Sequence, residues 1–414
     1  MDIGIHRLGK GNSMTDFVTY TDATIFGTDG EDRLTVYRDS GVLWLYDLEP
    51  NAVSGYDGHF SNGYAGEGVY FKGIENFTFI DRAGADNYIA TGAGDDVLRG
   101  GDGNDTLLVG SGDDIANGGD GMDSFGADLS AWTSAATINL NVISTLINGT
   151  VRNMEGFEAL TTGSGADVIT GHRTSYMADT IDTGAGNDLV KLWWNGEKDV
   201  VAGGEGGDVL QVTASKGVFL IDLTAETSGG YSGHFSTGYT GEGVYFSGIE
   251  SFVFTDWARA DNTITTGAGN DVLIGGGGRD TLNGGGGDDI LSGGLLRDVL
   301  IGSAGRDDID GGGGNDVLRG GRGADVLTGG IGNDRLSGGT LADRFVFGQG
   351  DGNDTILDFG DGADRIVIED GAESFADVTV EDAGADTIVR FADVSITLLN
   401  VDHLSIGSGD FLFL

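Results

Sequence analysis

The chain has 414 residues, of which 79 are glycine, one is proline and none is cysteine, and 66 acidic against 22 basic side chains leave a net charge of −44. Disulfides and thiolate metal sites are therefore excluded, and so much negative charge argues against nucleic acid or an anionic membrane as a partner. No apolar run approaches the roughly 20 residues that span a bilayer, and a single proline argues against collagen and Pro-rich disorder.

Residues 1–17 lack a charged stretch followed by an apolar core, so no signal-peptide pattern is present. A lone glycine/aspartate unit stands at 27–34. β-branched and aromatic residues then alternate with polar ones, as at 69–80, which predicts strands paired as hairpins. This insert is duplicated, residues 56–107 aligning without a gap to 231–282. The shared core reads GHFSNGYAGEGVYFKGIENF in one copy and GHFSTGYTGEGVYFSGIESF in the other. Four aspartates follow at strict nine-residue spacing: Asp96, Asp105, Asp114 and Asp123. Met154-Glu155-Gly156-Phe157 then echoes Ile74-Glu75-Asn76-Phe77 and Ile249-Glu250-Ser251-Phe252, each just ahead of an array. These segments are expected to be strands that cap the arrays. A second, irregular array carries Asp167, Asp179, Asp188, Asp199 and Asp208.

The third array is the most regular. Asp271, Asp280, Asp289, Asp298, Asp307, Asp316, Asp325, Asp334 and Asp343 stand at one phase of an unbroken nine-residue repeat. Two residues after each sits Leu273, Leu282, Leu291, Leu300, Ile309, Leu318, Leu327, Leu336 or Phe345. The unit reads G-G-x-G-x-D-x-U-x, with U a large apolar residue, and such a period specifies a solenoid. After Phe345 the pattern changes to short strands, expected at 345–347, 356–357, 366–368, 378–380, 387–389 and 395–399, with polar turns between them. No stretch has a sustained helical period. The expected fold class is all-β: parallel β-roll blocks interrupted by β-hairpin inserts and closed by a C-terminal β segment. The expected blocks are 1–81, an N-terminal β segment with the first insert; 82–126, the first roll; and 127–161, a short insert. Then come 162–211, the irregular roll; 212–260, the second insert; 261–347, the main roll; and 348–414, the C-terminal segment.

The spacing points to calcium. Glycine takes positive φ at little cost, so G-G-x-G turns tightly with its carbonyls aimed inward, and the aspartate adds a carboxylate. Calcium wants six to eight oxygens at about 2.3–2.6 Å, more than one loop supplies, so two loops must share each ion. D-x-U-x forms a short strand with U inward. Two half-turns make a coil of eighteen residues, and loops eighteen apart stack on one edge, about 4.8 Å apart. Asp271, Asp289, Asp307, Asp325 and Asp343 then share one edge, and Asp280, Asp298, Asp316 and Asp334 the other. Counting adjacent pairs, and adding Asp96 with Asp114 and Asp105 with Asp123, gives about nine calcium sites. Asp188 and Asp208 join the expected ligands from the irregular array. Leu296 and Leu341 replace the glycine at position four, and their loops are expected to be degraded. Ordering so many glycines costs backbone entropy, and like charges oppose compaction, so the arrays are expected to fold only on binding calcium.

These units resemble the RTX (repeats-in-toxin, or haemolysin-type calcium-binding repeat) family. The resemblance implies a parallel β-roll, extracellular calcium and export through a type I secretion channel. The tail resembles the C-terminal cap of secreted RTX proteases and alginate epimerases. It is carried by Gly338-Gly339-Thr340-Leu341-Ala342-Asp343-Arg344-Phe345-Val346-Phe347, then Asp354-Thr355-Ile356-Leu357-Asp358-Phe359, then Asp364-Arg365-Ile366. The terminal Asp410-Phe411-Leu412-Phe413-Leu414 looks like an uncleaved export signal, so residues 348–414 are expected to combine cap and signal.

Catalytic signatures are absent from the sequence. His6, His59, His172, His234 and His403 form no H-E-x-x-H, and neither a G-x-S-x-G elbow nor a P-loop occurs. His59, Tyr64 and Glu67 recur as His234, Tyr239 and Glu242 in the second insert, a set that could touch a sugar or a second metal but more simply shapes a glycine-rich hairpin. The leading expectation is a secreted, extracellular or cell-surface, non-enzymatic protein that folds on calcium and serves as a scaffold or adhesin. Its expected partners are calcium ions, the type I secretion channel, and cell-surface polysaccharide or further copies of itself. The alternative is the calcium-dependent substrate-binding and secretion module of a polysaccharide-modifying enzyme, and a small toxin-like effector ranks third. A start at Met1 and an export-like tail suggest a complete product, which favours the first.

Overall fold

A computed structural model describes the chain except residues 1, 10–11, 20–23, 27–32, 39–43, 51–55, 62–68, 75, 82–83, 93, 111–113, 132, 141–143, 147–148, 153, 155, 174–176, 195, 215–216, 228–229, 238–241, 257–258 and 361–363. Side chains are described at 34–36 and, with few exceptions, from residue 76 onward. Contacts gather into two compact units, residues 1–208 with 244–247, and residues 209–243 with 248–414. Among the described residues regular structure is strand, apart from the single 3₁₀ turns Phe375–Asp377, His403–Ser405 and Ser408–Asp410.

In the second unit the nonapeptide period becomes two stacks of parallel strands. Val272–Ile274, Ile290–Leu295, Asp308–Gly314, Val326–Thr328 and Arg344–Phe347 pair in succession along one stack. Thr281–Gly286, Val299–Ala304, Val317–Arg322 and Arg335–Thr340 pair along the other. Each residue meets the one eighteen positions on, so Leu273 lies over Leu291, Ile309, Leu327 and Phe345. Leu282 likewise lies over Leu300, Leu318 and Leu336. Side chains alternate across a strand, so the central residue of D-x-U-x points inward and its neighbours outward, even where these are apolar as Val299 and Ile301 are. All nine are at most 1% exposed and form the core between the stacks. Burying one such side chain contributes about 1.5–3 kcal/mol.

The stacks continue past the last nonapeptide. Asn353–Ile356 pairs in parallel with Arg335–Thr340, and Arg365–Ile368 with Arg344–Phe347. Thr379–Ala383, Asp386–Phe391 and Val394–Leu398 form an antiparallel meander. Its last strand lies parallel to Asn353–Ile356. The C-terminal strand Phe411–Phe413 is itself a parallel neighbour of Arg365–Ile368, with Phe411 buried.

The first unit repeats the scheme with side chains of mixed size. Val36, Phe79, Leu98, Ala116 and Val151 stack through successive parallel pairs. Ile89, Leu107, Phe125 and Phe157 form a second ladder. The expected hairpins are present, Trp44–Pro50 against Tyr56–Ser61 and Phe219–Ala225 against Tyr231–Ser236. The expectation that the strands ahead of each array cap it is corrected. Asn76–Asp81 is flanked by Arg33–Arg38 and Val97–Asp102. Gly156–Thr161 lies between Ser124–Asp128 and Thr180–Asp182, and Ser251–Asp256 between Val209–Ala214 and Val272–Ile274. They are interior rungs: Phe79 pairs with Leu98, Phe254 with Leu273 and Phe157 with Phe125, so phenylalanine fills the core place that leucine takes in the arrays.

Core position and exposure make opposite demands on two neighbouring leucines. Leu300 is fully buried and Leu295 is 54% exposed. Leu300→Ala should cost about 2–5 kcal/mol in calcium-replete buffer, and Leu295→Ala should stay within about 0.5 kcal/mol. Urea unfolding of both variants followed by far-ultraviolet circular dichroism measures the difference.

Candidate metal centre

The aspartate of each unit stands where a glycine-rich loop enters the next strand, and it is almost wholly buried. Its Oδ1 accepts the backbone N–H of the aspartate one coil earlier. Asp271 donates to Asp289 at 2.9 Å, Asp289 to Asp307 at 3.0 Å, Asp307 to Asp325 at 2.9 Å and Asp325 to Asp343 at 2.9 Å. On the other edge Asp280 donates to Asp298, Asp298 to Asp316 and Asp316 to Asp334, at 2.7–2.8 Å. The first array has the same links, Asp96 to Asp114 and Asp105 to Asp123. The edge partners expected from the spacing are thus brought together in hydrogen-bonded rows.

The ladder is longer than the sequence reading allowed. Asp167 donates to Asp188 and Asp188 to Asp208, while Asp179 donates to Asp199, at 2.7–2.9 Å. Asp334 and Asp343 donate onward to Asp354 and Asp364. Asp167, Asp179, Asp199, Asp354 and Asp364 were not among the expected site residues. Their spacing is 20 or 21 residues per coil, so a strict nine-residue count passes over them. The signal that finds them is an aspartate followed two residues later by an apolar one: Ile169, Ile181, Val201, Ile356 and Ile366.

The second carboxylate oxygen is different. Oδ2 of Asp105, Asp167, Asp188, Asp271, Asp280, Asp289, Asp298, Asp307, Asp316, Asp325, Asp334, Asp343 and Asp354 is buried and accepts no hydrogen bond. In the units of Asp105 and of Asp280 to Asp343 it points over the first glycine, whereas threonine or glutamine holds that place ahead of Asp167, Asp188, Asp271 and Asp354. A Cβ on Gly311 would stand 2.8 Å from Asp316 Oδ2 and 2.6 Å from the carbonyl oxygen of Gly329. The same convergence of own-unit carboxylate and next-coil carbonyl occurs over Gly100, Gly275 and Gly320. Each of these four cradles is thus lined by oxygens from two stacked loops and is too tight for a methyl group. Among the described residues no three His, Asp or Glu side chains converge on one point, so a metal held there would take further oxygens from backbone carbonyls. Hard oxygens, shared loops and flexible number are what calcium accepts.

Electrostatics require a cation or a proton. Burial pushes Asp289, Asp298, Asp334 and Asp343 up to about 7 and Asp307 and Asp316 up to about 6, and neighbouring carboxylates along each row push the same way in Asp289, Asp298, Asp307, Asp334 and Asp343. In the irregular array burial raises Asp179 to about 8 and Asp199 to about 7. The N–H from the preceding rung pulls each of them down, but less strongly. Leaving a buried polar group unpaired costs about 1–3 kcal/mol, and more for a charge. Repeated over the row, this exceeds the 5–15 kcal/mol that holds a typical domain together.

The two loops expected to be degraded keep their path. Leu296 and Leu341 occupy position four with φ of 78° and 85°, in the left-handed region. Both side chains point outward, 59% and 62% exposed, so the substitution strains the backbone without entering a cradle. In the lone unit at 27–34, residues 27–32 lie outside the described residues. So do Tyr64, Glu67, Tyr239 and the side chain of His59 from the duplicated set, while His234 and Glu242 are half-buried. Among the described residues no helix is long and apolar enough to cross a membrane.

The profile of the RTX calcium-binding nonapeptide repeat matches residues 83–116, 90–125, 176–191, 259–291, 283–318, 292–327 and 310–345, about a third of the chain. The arrays are RTX calcium-binding repeats. They bind calcium, and the parallel solenoid described above is the RTX β-roll. No curated protein matches the chain. Among solved structures it is similar to the AlgE6R3 subunit of the Azotobacter vinelandii mannuronan C5-epimerase, at 31% identity over 28% of this chain and 78% of that one, with a TM-score of 0.24. It is also similar to the extracellular lipase LipA from Serratia marcescens, at 16% identity over 65% of this chain and 41% of that one, with a TM-score of 0.20. Superposition this loose carries no argument about function.

Two outcomes follow for the RTX cradles. Gly311→Ala places a methyl group against Asp316 Oδ2, whereas a Cβ on Gly313 meets nothing closer than Leu295 Cδ2 at 3.9 Å. Gly311→Ala should raise the calcium midpoint of folding about tenfold, a loss of about 1.4 kcal/mol, and Gly313→Ala should leave it unchanged; calcium titrations by circular dichroism compare them. The second outcome concerns pH. A carboxyl whose folded pKa lies above its unfolded value of about 3.9 favours the folded state when protonated. In chelator that support is complete below about pH 4 and is lost as pH rises through about 6–7. Lowering the pH from 7.5 to 5 in chelator should therefore increase the β-sheet signal, and the calcium midpoint should rise over the same range because calcium must displace those protons.

Proposed function

We propose that the protein is a secreted, non-enzymatic calcium-binding protein that folds on extracellular calcium and serves as a scaffold or adhesin at the cell surface or in the matrix. The carrying observation is the row of buried Oδ2 atoms without a donor, four of them converging with a carbonyl of the next coil over Gly100, Gly275, Gly311 and Gly320. In this reading Asp96, Asp105, Asp114, Asp123, Asp188, Asp208 and the nine aspartates from Asp271 to Asp343 are calcium ligands. Asp167, Asp179, Asp199 and Asp354 join them as candidates. Cytosolic calcium is too scarce to fill such cradles, so an acidic chain of net charge −44 stays open and can thread a type I secretion channel. Outside, calcium at about 10⁻⁴–10⁻³ M matches the affinity class of extracellular calcium modules. The non-enzymatic reading rests on the sequence, which holds none of the catalytic signatures sought in it.

The deciding experiment is light scattering behind a sizing column, with circular dichroism, on protein stepped from chelator to millimolar calcium. The expected result is a fall in hydrodynamic radius with a gain of β signal. Growth of the mass into assemblies would favour the scaffold role, and a constant monomer mass would direct the search to a ligand. A chain already β-rich in chelator and unchanged by calcium would sink the proposal.

A further inference from the structure

The first coil of each regular array departs from the repeat at two positions, and both departures put a hydrogen-bond donor where the later coils of the same array have none; in the irregular array Thr162 and Thr183 hold the second of these positions and donate in the same way. One coil before Asp280, the aspartate position is held by Asn262, and one coil before Asp105 by Asn87. Val218 N–H donates to Asn262 Oδ1 at 2.9 Å, as a preceding rung does to an aspartate, and this fixes the amide so that Nδ2 faces the cradle. Asn262 Nδ2 lies 2.9–3.2 Å from four oxygens: Asp280 Oδ1, Asp256 Oδ2 and the carbonyls of Ala260 and Gly275. Asn87 Nδ2 lies 2.7–3.4 Å from the equivalent four: Asp105 Oδ1, Asp81 Oδ2 and the carbonyls of Ala85 and Gly100. On the opposite edge threonine replaces the first glycine. Thr266 Oγ1 donates to the Gly284 carbonyl at 2.6 Å and lies 3.2 Å from that of Asn283. Thr91 Oγ1 donates to the Leu108 carbonyl at 3.4 Å.

We propose that Asn87 with Thr91, and Asn262 with Thr266, are the chain's own stand-ins for calcium: they close the first coil of each regular array by hydrogen bonds alone, and that coil is the calcium-independent template on which calcium stacks the rest. The amide nitrogen carries the partial positive charge that two carboxylates and two carbonyls require, and it is covalently supplied. Asn262 replaces a carboxylate, so one charge fewer stands in the row, while its amide lies between the carboxylates of Asp256 and Asp280. Nucleating a parallel stack from unpaired loops is entropically costly, and an ordered first coil removes that cost for every coil after it. The same pair in both copies of the duplicated insert places a template ahead of each regular array.

This rests on the calcium-folding function proposed above, and the test separates the two. Hydrogen exchange by mass spectrometry on the full chain in chelator at pH 7.5 should show residues 87–91 and 262–268 exchanging about tenfold more slowly than residues 298–336. Asn87→Asp with Asn262→Asp should abolish that difference in chelator and, in millimolar calcium, bind one additional ion per substituted site by metal analysis of the desalted protein. Thr91→Gly with Thr266→Gly, which restores the interior pattern, should weaken the protection without adding an ion at the asparagines. Equal exchange of leading and interior coils in the wild-type chain would overturn the inference, as would an unchanged ion count in the aspartate variant. A wild-type chain that takes up no calcium would overturn the function on which it rests.

Discussion

Everything in the two units is arranged around a row of carboxylates that the fold itself makes intolerable. Parallel stacking sets one aspartate above the next at the strand spacing of about 4.8 Å, buries each, and from Asp271 to Asp343 satisfies only one of its two oxygens. A lone buried charge of this kind does not persist: it is protonated, paired or bound to a metal. On the function proposed above, metal binding and folding become one equilibrium. From Gly275 to Gly338 the glycine at position one belongs to the same arrangement, because a Cβ there would stand against the aspartate carboxylate of its own unit.

The core does less than its regularity suggests. Each coil contributes two apolar side chains facing each other across a narrow interior, so the hydrophobic gain per coil is a few kcal/mol. Against it stands the entropy of ordering eighteen residues, many of them glycine, at about 1–2 kcal/mol each. Hydrogen bonds between coils offset part of this, and the rest must come from the cradles. The inserts and the tail reverse the balance. There Phe77, Phe79, Phe252 and Phe254 are buried, glycine is less frequent, and Phe235 stacks on Phe254 with ring centroids 5.9 Å apart.

Much of this was legible in the residues. The phase of Asp271 to Asp343 placed every rung of the main roll, and D-x-U placed every inward side chain. Legibility failed where the coil length changed. A coil of 20 or 21 residues hides Asp167, Asp179 and Asp199 from a nine-residue count, although the extra residues leave the ladder bond intact. It failed again ahead of the arrays, where aromatic rungs read as caps because their glycine loops are missing. Leu296 and Leu341 read as damage, yet a left-handed leucine costs only about 1–2 kcal/mol when its side chain has solvent to enter.

Solenoid stability is approximately a sum of coil and nearest-neighbour contributions, so the ends decide whether a stack of marginal coils forms at all. At the trailing end Asp364 Oδ2 accepts the Gly360 N–H at 2.8 Å, and the Asp358 carboxylate accepts N–H groups from Gly338 and Gly339 at 3.0–3.1 Å. At the leading end Tyr231 Oη accepts the Ala268 N–H at 2.7 Å, beside Asn262 and Thr266. At the trailing end Asp364 is thus satisfied by the polypeptide, whereas Asp354 and the main roll leave their second oxygens without a hydrogen bond. On the function proposed above, each ion would sit between two complete loops, and the number of loops would set how steeply folding depends on calcium.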